Sequence, residues 1–371
     1  MIIERIDAIT LRIPFTDGSS GAGLFPGRWD HLDLVLVRIA TREGLVGWGE
    51  GFGYFCAPAV ASMVASAYAP LLLGRELPTS IAALRALNLE LQERSVLPGR
   101  HGITTFALSG VDLALWDLLG KAQGASIAEL LGGRQRGTLP AYASLVRYGT
   151  AELVARHARR ACADGYREIK LHEITLPEIR AARAAIGDGI AMTVDVNCNW
   201  TAEFVREVAP ELARLGVRWL EEPVFPPEDH AALAVLRGLG VALAAGENLC
   251  TALPFAEQTR QSAVDFTQPS VTKVGGLSQL LAVAEATAAV PLAPHCPYFG
   301  PGFLATLQFA AAEPRVDTIE WLYIDPAAWI YRDMPVPRQG QITVPSGPGL
   351  GLDPDPAALA TYTTATTTRS L

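Results

Sequence analysis

Positive charge is scarce in this chain and nowhere concentrated. It has 30 Lys and Arg against 38 Asp and Glu, a formal net charge of -8, and no run of five basic residues. Nucleic acid and anionic membrane surfaces, which are held by dense basic patches, are therefore not expected partners. Cysteine is sparse too. Cys56, Cys162, Cys198, Cys250 and Cys296 are odd in number, scattered and without CxxC spacing, which argues against a disulfide framework or a zinc site. Charged residues make up only 18% of the chain and hydrophobic ones 50%, a balance that excludes a disordered or fibrous protein. The start, Met1-Ile2-Ile3-Glu4-Arg5, lacks the basic-then-apolar order of a signal peptide, and apolar runs such as Val60 to Leu73 are too short to span a bilayer. The expectation is a cytoplasmic enzyme. At 371 residues it has room for two domains, one of them a barrel of about 250 residues.

What the chain does have is a register of acids. Three apolar runs each end on a carboxylate, at Asp195, Glu221 and Glu247, and the spacing is 26 residues both times. In a protein of alternating strands and helices that interval is one βα unit, so the acids fall at equivalent carboxyl ends of three neighbouring parallel strands. Carboxylates gathered in this way repel unless a hard divalent cation takes their oxygens as ligands, which predicts Mg²⁺. An acid after a strand is also a common helix cap; three in strict register favour the metal.

The remaining pattern gives the fold. Residues 1 to 13 alternate as a strand, and Leu32 to Ile39 with Leu45 to Glu50 form a hairpin turning at Glu43-Gly44. Thr16 to Asp30 and Gly51 to Cys56 are loops, the second carrying Phe52, Tyr54 and Phe55, either as a lid or as local packing. Helical periodicity covers Pro58 to Leu73, Ser80 to Glu93 and Thr104 to Ala122, the last apolar on more than one face and so buried between domains. From there, short apolar strands centred on Tyr142, Ile169, Val194, Leu220, Leu243, Phe266, Leu292 and Ile319 recur every 23 to 27 residues, with helices between them. The predicted architecture is an α/β protein with a TIM barrel modified toward (β/α)7β. Residues 1–130 form an α+β capping domain, 131–330 the barrel, and 331–371 a segment returning to the cap. Within that segment Gly340 to Val344 is read as a strand on the first domain, and Thr361 to Leu371 as a frayed tail.

The strand ends then supply tools. Lys170 and His172 alternate onto one side of the second strand, His295 follows the seventh and Glu320 lies in the eighth, while Asn197 faces as Asp195 does and is positioned to orient the ligands. Cys198, Cys250 and Cys296 each follow a barrel strand and are read as small neighbours of the site, not nucleophiles. A divalent cation flanked by Lys and His suits removal of the weakly acidic proton beside a carboxylate.

These motifs resemble the enolase superfamily, in its mandelate racemase and muconate lactonizing enzyme branch. The resemblance rests on Ala107 to Asp117, Asp195, Trp219-Leu220-Glu221-Glu222-Pro223, Gly246-Glu247-Asn248 and Gly275-Gly276. It implies one Mg²⁺, a small carboxylate substrate, an enediolate intermediate, two loops over the substrate, Glu320 bonded to the substrate carboxylate, and a homo-oligomer. Two departures stand out. The second lysine of a Lys-x-Lys pair is His172 here, and the aspartate that partners the strand-seven histidine is Ser270. Without that carboxylate His295 is expected to be a weaker base and a readier acid. The leading expectation is an acid-sugar dehydratase in which Lys170 or His172 takes the α-proton and His295 protonates the leaving hydroxide. The alternatives are an epimerase or cycloisomerase with His172 and His295 on opposite faces of one carbon, and a non-catalytic metal-binding relative.

Overall fold

The computed structural model describes residues 1–18 and 29–371; most of the expected loop from Thr16 to Asp30 lies outside them. The cap begins with three antiparallel strands, β1 (Ile3–Thr16), β2 (His31–Thr41) and β3 (Val46–Gly51). A helical layer follows: α1 (Ala57–Met63), a π-helical turn, α2 (Ala69–Leu72), α3 (Ile81–Arg94), α4 (Ile103–Gln123) and α5 (Ile127–Leu130). Local chemistry sets several of their ends. Ser80 caps α3 by accepting from Ala83 N, Ser126 and Glu129 form a capping box, and Gly124 ends α4 in the left-handed region at φ 65°.

Eight parallel positions close the barrel. Seven are strands, β4 (Thr138–Ser144), β5 (Glu168–Leu171), β6 (Ala191–Asp195), β7 (Val217–Glu221), β8 (Ala242–Ala245), β9 (Phe266–Thr267) and β10 (Ile319–Leu322), with β10 paired to β4. The expected strand at Leu292 is reduced to single bridges with Thr267 and Val316. Pro291 and Pro294 flank it and supply no N–H to a ladder. Helices α6 (Ala151–Ala163), α7 (Leu176–Ile186), α8 (Ala202–Arg214), α9 (His230–Leu236), α10 (Ala252–Arg260), α11 (Leu277–Ala286) and α12 (Pro301–Ala312) fill the crossovers, and β10 leads into the C-terminal segment without an eighth barrel helix. The topology is (β/α)7β.

Helix α4 explains its own composition. At 21 residues it is long and apolar enough to cross a membrane, against the expectation that no apolar run is, but 89% of its apolar window is buried within the protein. It lies between cap sheet and barrel, and three of its polar side chains bond the connection that follows β9. Ser109 Oγ accepts from Gly275 N at 3.0 Å, Asp112 accepts from Ser278 N at 2.9 Å, and Trp116 Nε1 donates to Ser278 Oγ at 3.0 Å. Gly276 is required there: its φ is 88°, and a Cβ would lie 2.4 Å from Asp112 Oδ2.

The C-terminal segment corrects two expectations. After β11 (Asp325–Pro326), the strand β12 (Gln341–Thr343) pairs antiparallel with the start of β4, on the barrel instead of the cap. The tail is not frayed. Beyond α13 (Pro356–Tyr362), β13 (Thr363–Ser370) runs antiparallel to β1 from Arg5 to Leu11. Five of its residues are β-branched threonines, suited to a strand, and Thr368 Oγ1 donates to Asp7 at 2.6 Å. Low hydrophobicity concealed a strand held by backbone pairing. Deleting residues 363–371 is therefore expected to bare one edge of β1, lower the melting temperature by about 4 °C or more and promote aggregation, read by thermal unfolding and light scattering. An unchanged melting curve would contradict this role.

Candidate active site

The register of β6 and β7 sets Asp195 directly beside Glu221. Glu247 is not at the same level. Glu221 pairs with Ala244, and the chain turns at Gly246, with φ 134°, to bring Glu247 back. Glu222, one residue past β7, fastens this turn by accepting from Gly246 N at 2.9 Å. Burial and the nearby Glu247 push Glu222 up to about 8. One oxygen from each of Asp195, Glu221 and Glu247 lies within 4.8 Å of the others.

Lys170 stands beneath this cluster. Its Nζ lies 2.7 Å from Glu221 Oε1, 3.0 Å from Glu320 Oε1 and 3.1 Å from Asp195 Oδ2, and the side chain is almost wholly buried. Burial alone would lower the ammonium, but Glu221, Glu320 and Asp195 outweigh it and hold it well above its ordinary range. Burial and the other acids raise Glu221 well above the carboxylate range. For Asp195, the raising effect of burial is overcome by Lys170 and His172, and its carboxyl falls. Asp195 Oδ2 is buried without a hydrogen bond aligned on it. Three acids gathered beside the single Lys170 ammonium fit a hard divalent cation, which would take its ligands from Asp195, Glu221 and Glu247.

Two histidines flank the cluster. His172 Nδ1 bonds the Leu145 carbonyl, which can only accept, so in the neutral ring Nε2 is bare; it lies 3.3 Å from Asp195 Oδ2. His295 also sets Nε2 against a carboxylate and differs at Nδ1. Its Nε2 lies 2.9 Å from Glu247 Oε2, an acceptor, and its Nδ1 meets the Ser270 and Tyr298 hydroxyls at 3.2 and 3.1 Å. Glu320 accepts from Ser144 Oγ at 2.8 Å and Cys296 N at 3.0 Å. Asn197 orients Asp195 through its backbone, N to Oδ1 2.8 Å, while its side-chain oxygen is buried without a partner.

His172, Asn197, Glu247, His295 and Glu320 line one cavity of about 560 Å³; Lys170, Asp195 and Glu221 are not among its lining residues. The loop after β3 covers it. Phe52, Tyr54 and Phe55 join the lining, Trp29 packs on Tyr54 with ring centroids 5.5 Å apart, and the Tyr54 hydroxyl donates to the Pro297 carbonyl. Both readings of these aromatics therefore apply, since they pack on one another and form the roof. Cys250 lines the cavity, and burial raises the Cys198 and Cys296 thiols, which disfavours the thiolate. Tyr298 and Ser144 were missed by the sequence reading, and Glu222 was quoted only within the Trp219 to Pro223 motif, with no role given to it. Their roles depend on Ser270, Glu320 and Gly246, which lie far from them in sequence.

A capped barrel with an acidic triad and two histidines at its mouth is the framework of a metal-assisted proton-transfer enzyme. Residues 27–132 match the model of the mandelate racemase/muconate lactonizing enzyme N-terminal domain, and 153–358 the enolase C-terminal domain-like model. The chain is 32% identical to D-galactarolactone cycloisomerase of Agrobacterium fabrum, covering 90% of this chain and 92% of that one. It is 28% identical to arabinonate dehydratase of Saccharolobus solfataricus, over 86% and 88%. The L-talarate dehydratase of a Polaromonas species, crystallised with Mg and L-glucarate, superimposes with a TM-score of 0.85 at 25% identity, over 100% of this chain and 99% of that one. This protein belongs to the mandelate racemase/muconate lactonizing enzyme family of the enolase superfamily.

The triad yields a prediction independent of turnover. Added Mg²⁺ is expected to raise the melting temperature of the wild type, by about 2.7 kcal/mol of stability at a hundredfold excess over Kd, and to leave Glu221→Gln unmoved. An equal rise in both proteins would place the ion elsewhere.

Proposed function

We propose that the protein is a Mg²⁺-dependent dehydratase of an acid sugar of the aldonate or aldarate type. The observation that carries this is that two imidazoles face one cavity with different Nδ1 partners, the Leu145 carbonyl for His172 and two hydroxyls for His295. One side can take a proton while the other gives one. Held by Asp195, Glu221 and Glu247, Mg²⁺ would bind the substrate carboxylate and stabilise the charge that gathers there.

His172 Nε2 removes the α-proton, the electron pair left on the α-carbon expels the β-hydroxyl, and His295 Nε2 protonates it as it leaves as water. The enol that results becomes a 2-keto acid. Lys170 is the lesser candidate for the base, since three carboxylates hold its ammonium outside the cavity. Its role in this reading is to balance the acids. Glu320, bonded by Ser144 and Cys296 N, presents an edge to the substrate carboxylate, and Asn197 offers its unpartnered oxygen to a substrate hydroxyl. Dehydration is preferred to racemisation because the partners of His295 Nδ1 are neutral hydroxyls, and a racemase needs two bases of similar strength.

The second reading is cycloisomerisation of a sugar lactone, favoured by the aromatic roof, against which a ring can stack. It uses the same base and acid, with the ring oxygen as leaving group. The proposal also keeps the chain in the cytoplasm, supported by its five unpaired cysteines, and makes it a homo-oligomer as in the family resemblance.

The test is a panel of aldonates, aldarates and their lactones incubated in D₂O with Mg²⁺. A 2-keto acid is expected, with little deuterium in recovered substrate, and Ser270→Asp should not speed its formation. Deuterium at the α-carbon with inversion and no loss of water would establish an epimerase instead. His172→Ala is expected to lower turnover by about 10² or more; comparable activity in that variant would return the base to Lys170.

A further inference from the structure

We infer that Tyr298, with Ser270, is a positioning residue that holds the His295 imidazole, in the place where the family resemblance leads one to expect a carboxylate. The inference rests on the proton-transfer role given to His295 above. Ser270 alone is too short to fix a ring. Its hydroxyl bonds the Tyr298 hydroxyl, and both reach His295 Nδ1, at 3.2 and 3.1 Å. The three groups form a closed triangle. Ser270 is fully buried and Tyr298 is 2% exposed, and Tyr298 is not among the cavity-lining residues, so its hydroxyl serves the protein interior and not the substrate.

The geometry fixes the ring from two directions. The hydroxyl pair meets Nδ1, and the Tyr298 ring stands edge-on to the imidazole, at 80° with centroids 5.8 Å apart. The His295 backbone is held as well, its N–H donating to the Pro269 carbonyl at 3.2 Å. Burial keeps the Tyr298 phenol well above its ordinary range, so the partner is a neutral hydroxyl. A hydroxyl can donate to a bare Nδ1 or accept from a protonated one, whereas a carboxylate only accepts. The pair therefore holds the ring in either tautomer: it accepts from Nδ1–H in the imidazolium and after Nε2 gives up its proton, and it donates to Nδ1 when the one proton is on Nε2. Tyr298 also joins the site to its roof, because the adjacent Pro297 carbonyl receives the Tyr54 hydroxyl.

The test uses the Mg²⁺-loaded full chain and two readouts. In the panel compound that the wild type turns over, Tyr298→Phe is expected to lower kcat by about tenfold or more with KM within twofold, and Ser270→Asp added to Tyr298→Phe to recover most of that loss by supplying a carboxylate partner. In imidazole ¹⁵N spectra, without substrate, the His295 Nδ1 resonance should move in Tyr298→Phe and not in a Tyr323→Phe control. An unmoved Nδ1 resonance together with kcat within twofold of the wild type would overturn the inference. Should His295→Ala keep wild-type turnover, the functional reading fails, and the ¹⁵N spectra alone then decide whether Tyr298 holds the ring.

Discussion

One ammonium ion organises the centre of this molecule. Lys170 on β5 contacts Asp195 on β6, Glu221 on β7 and Glu320 on β10, and all four side chains are 0 to 1% exposed. Three carboxylates out of water around one cation are short of positive charge, and removing the lysine would leave them uncompensated. A divalent cation held by Asp195, Glu221 and Glu247, as proposed, would make good that shortfall. Trp219 shares the load, donating to the second oxygen of Glu221 at 3.0 Å.

The cap matters because it turns an open barrel mouth into a closed cavity. It is joined to the barrel by buried polar bonds as well as by apolar packing. Glu50 of β3 accepts from Gly302 N at the start of α12 at 2.8 Å, and burial pushes its carboxyl up to about 8. Tyr54 holds the loop behind His295, and α4 pins the loop after β9. Reacting groups from the barrel and the roof from the cap are therefore placed by the same few contacts. A site closed in this way strengthens the electrostatics on which removal of a weakly acidic proton depends.

The sequence revealed most clearly what repeats. The 26-residue spacing of Asp195, Glu221 and Glu247 reports the βα period directly, and it located a triad whose oxygens the fold brings together. Apolar runs marked seven barrel strands, because parallel strands are buried on both faces. Three things were hidden for physical reasons. The strand β13 is threonine-rich and exposed, so hydrophobicity could not mark it. The Gly246 turn that places Glu247 depends on Glu222, and no local pattern says which carboxylate points where. The replacement of an aspartate by Ser270 was visible as a loss, but its compensation by Tyr298 was not, because it comes from the next crossover and exists only in three dimensions.

The account stands on the claim that Asp195, Glu221 and Glu247 hold one divalent ion. A crystal structure of the protein soaked in Mg²⁺ tests it most directly. The account predicts an octahedral ion with one oxygen of each acid at about 2.0–2.1 Å and Lys170 still on Glu221. An ion elsewhere, or none between the three acids, would contradict it.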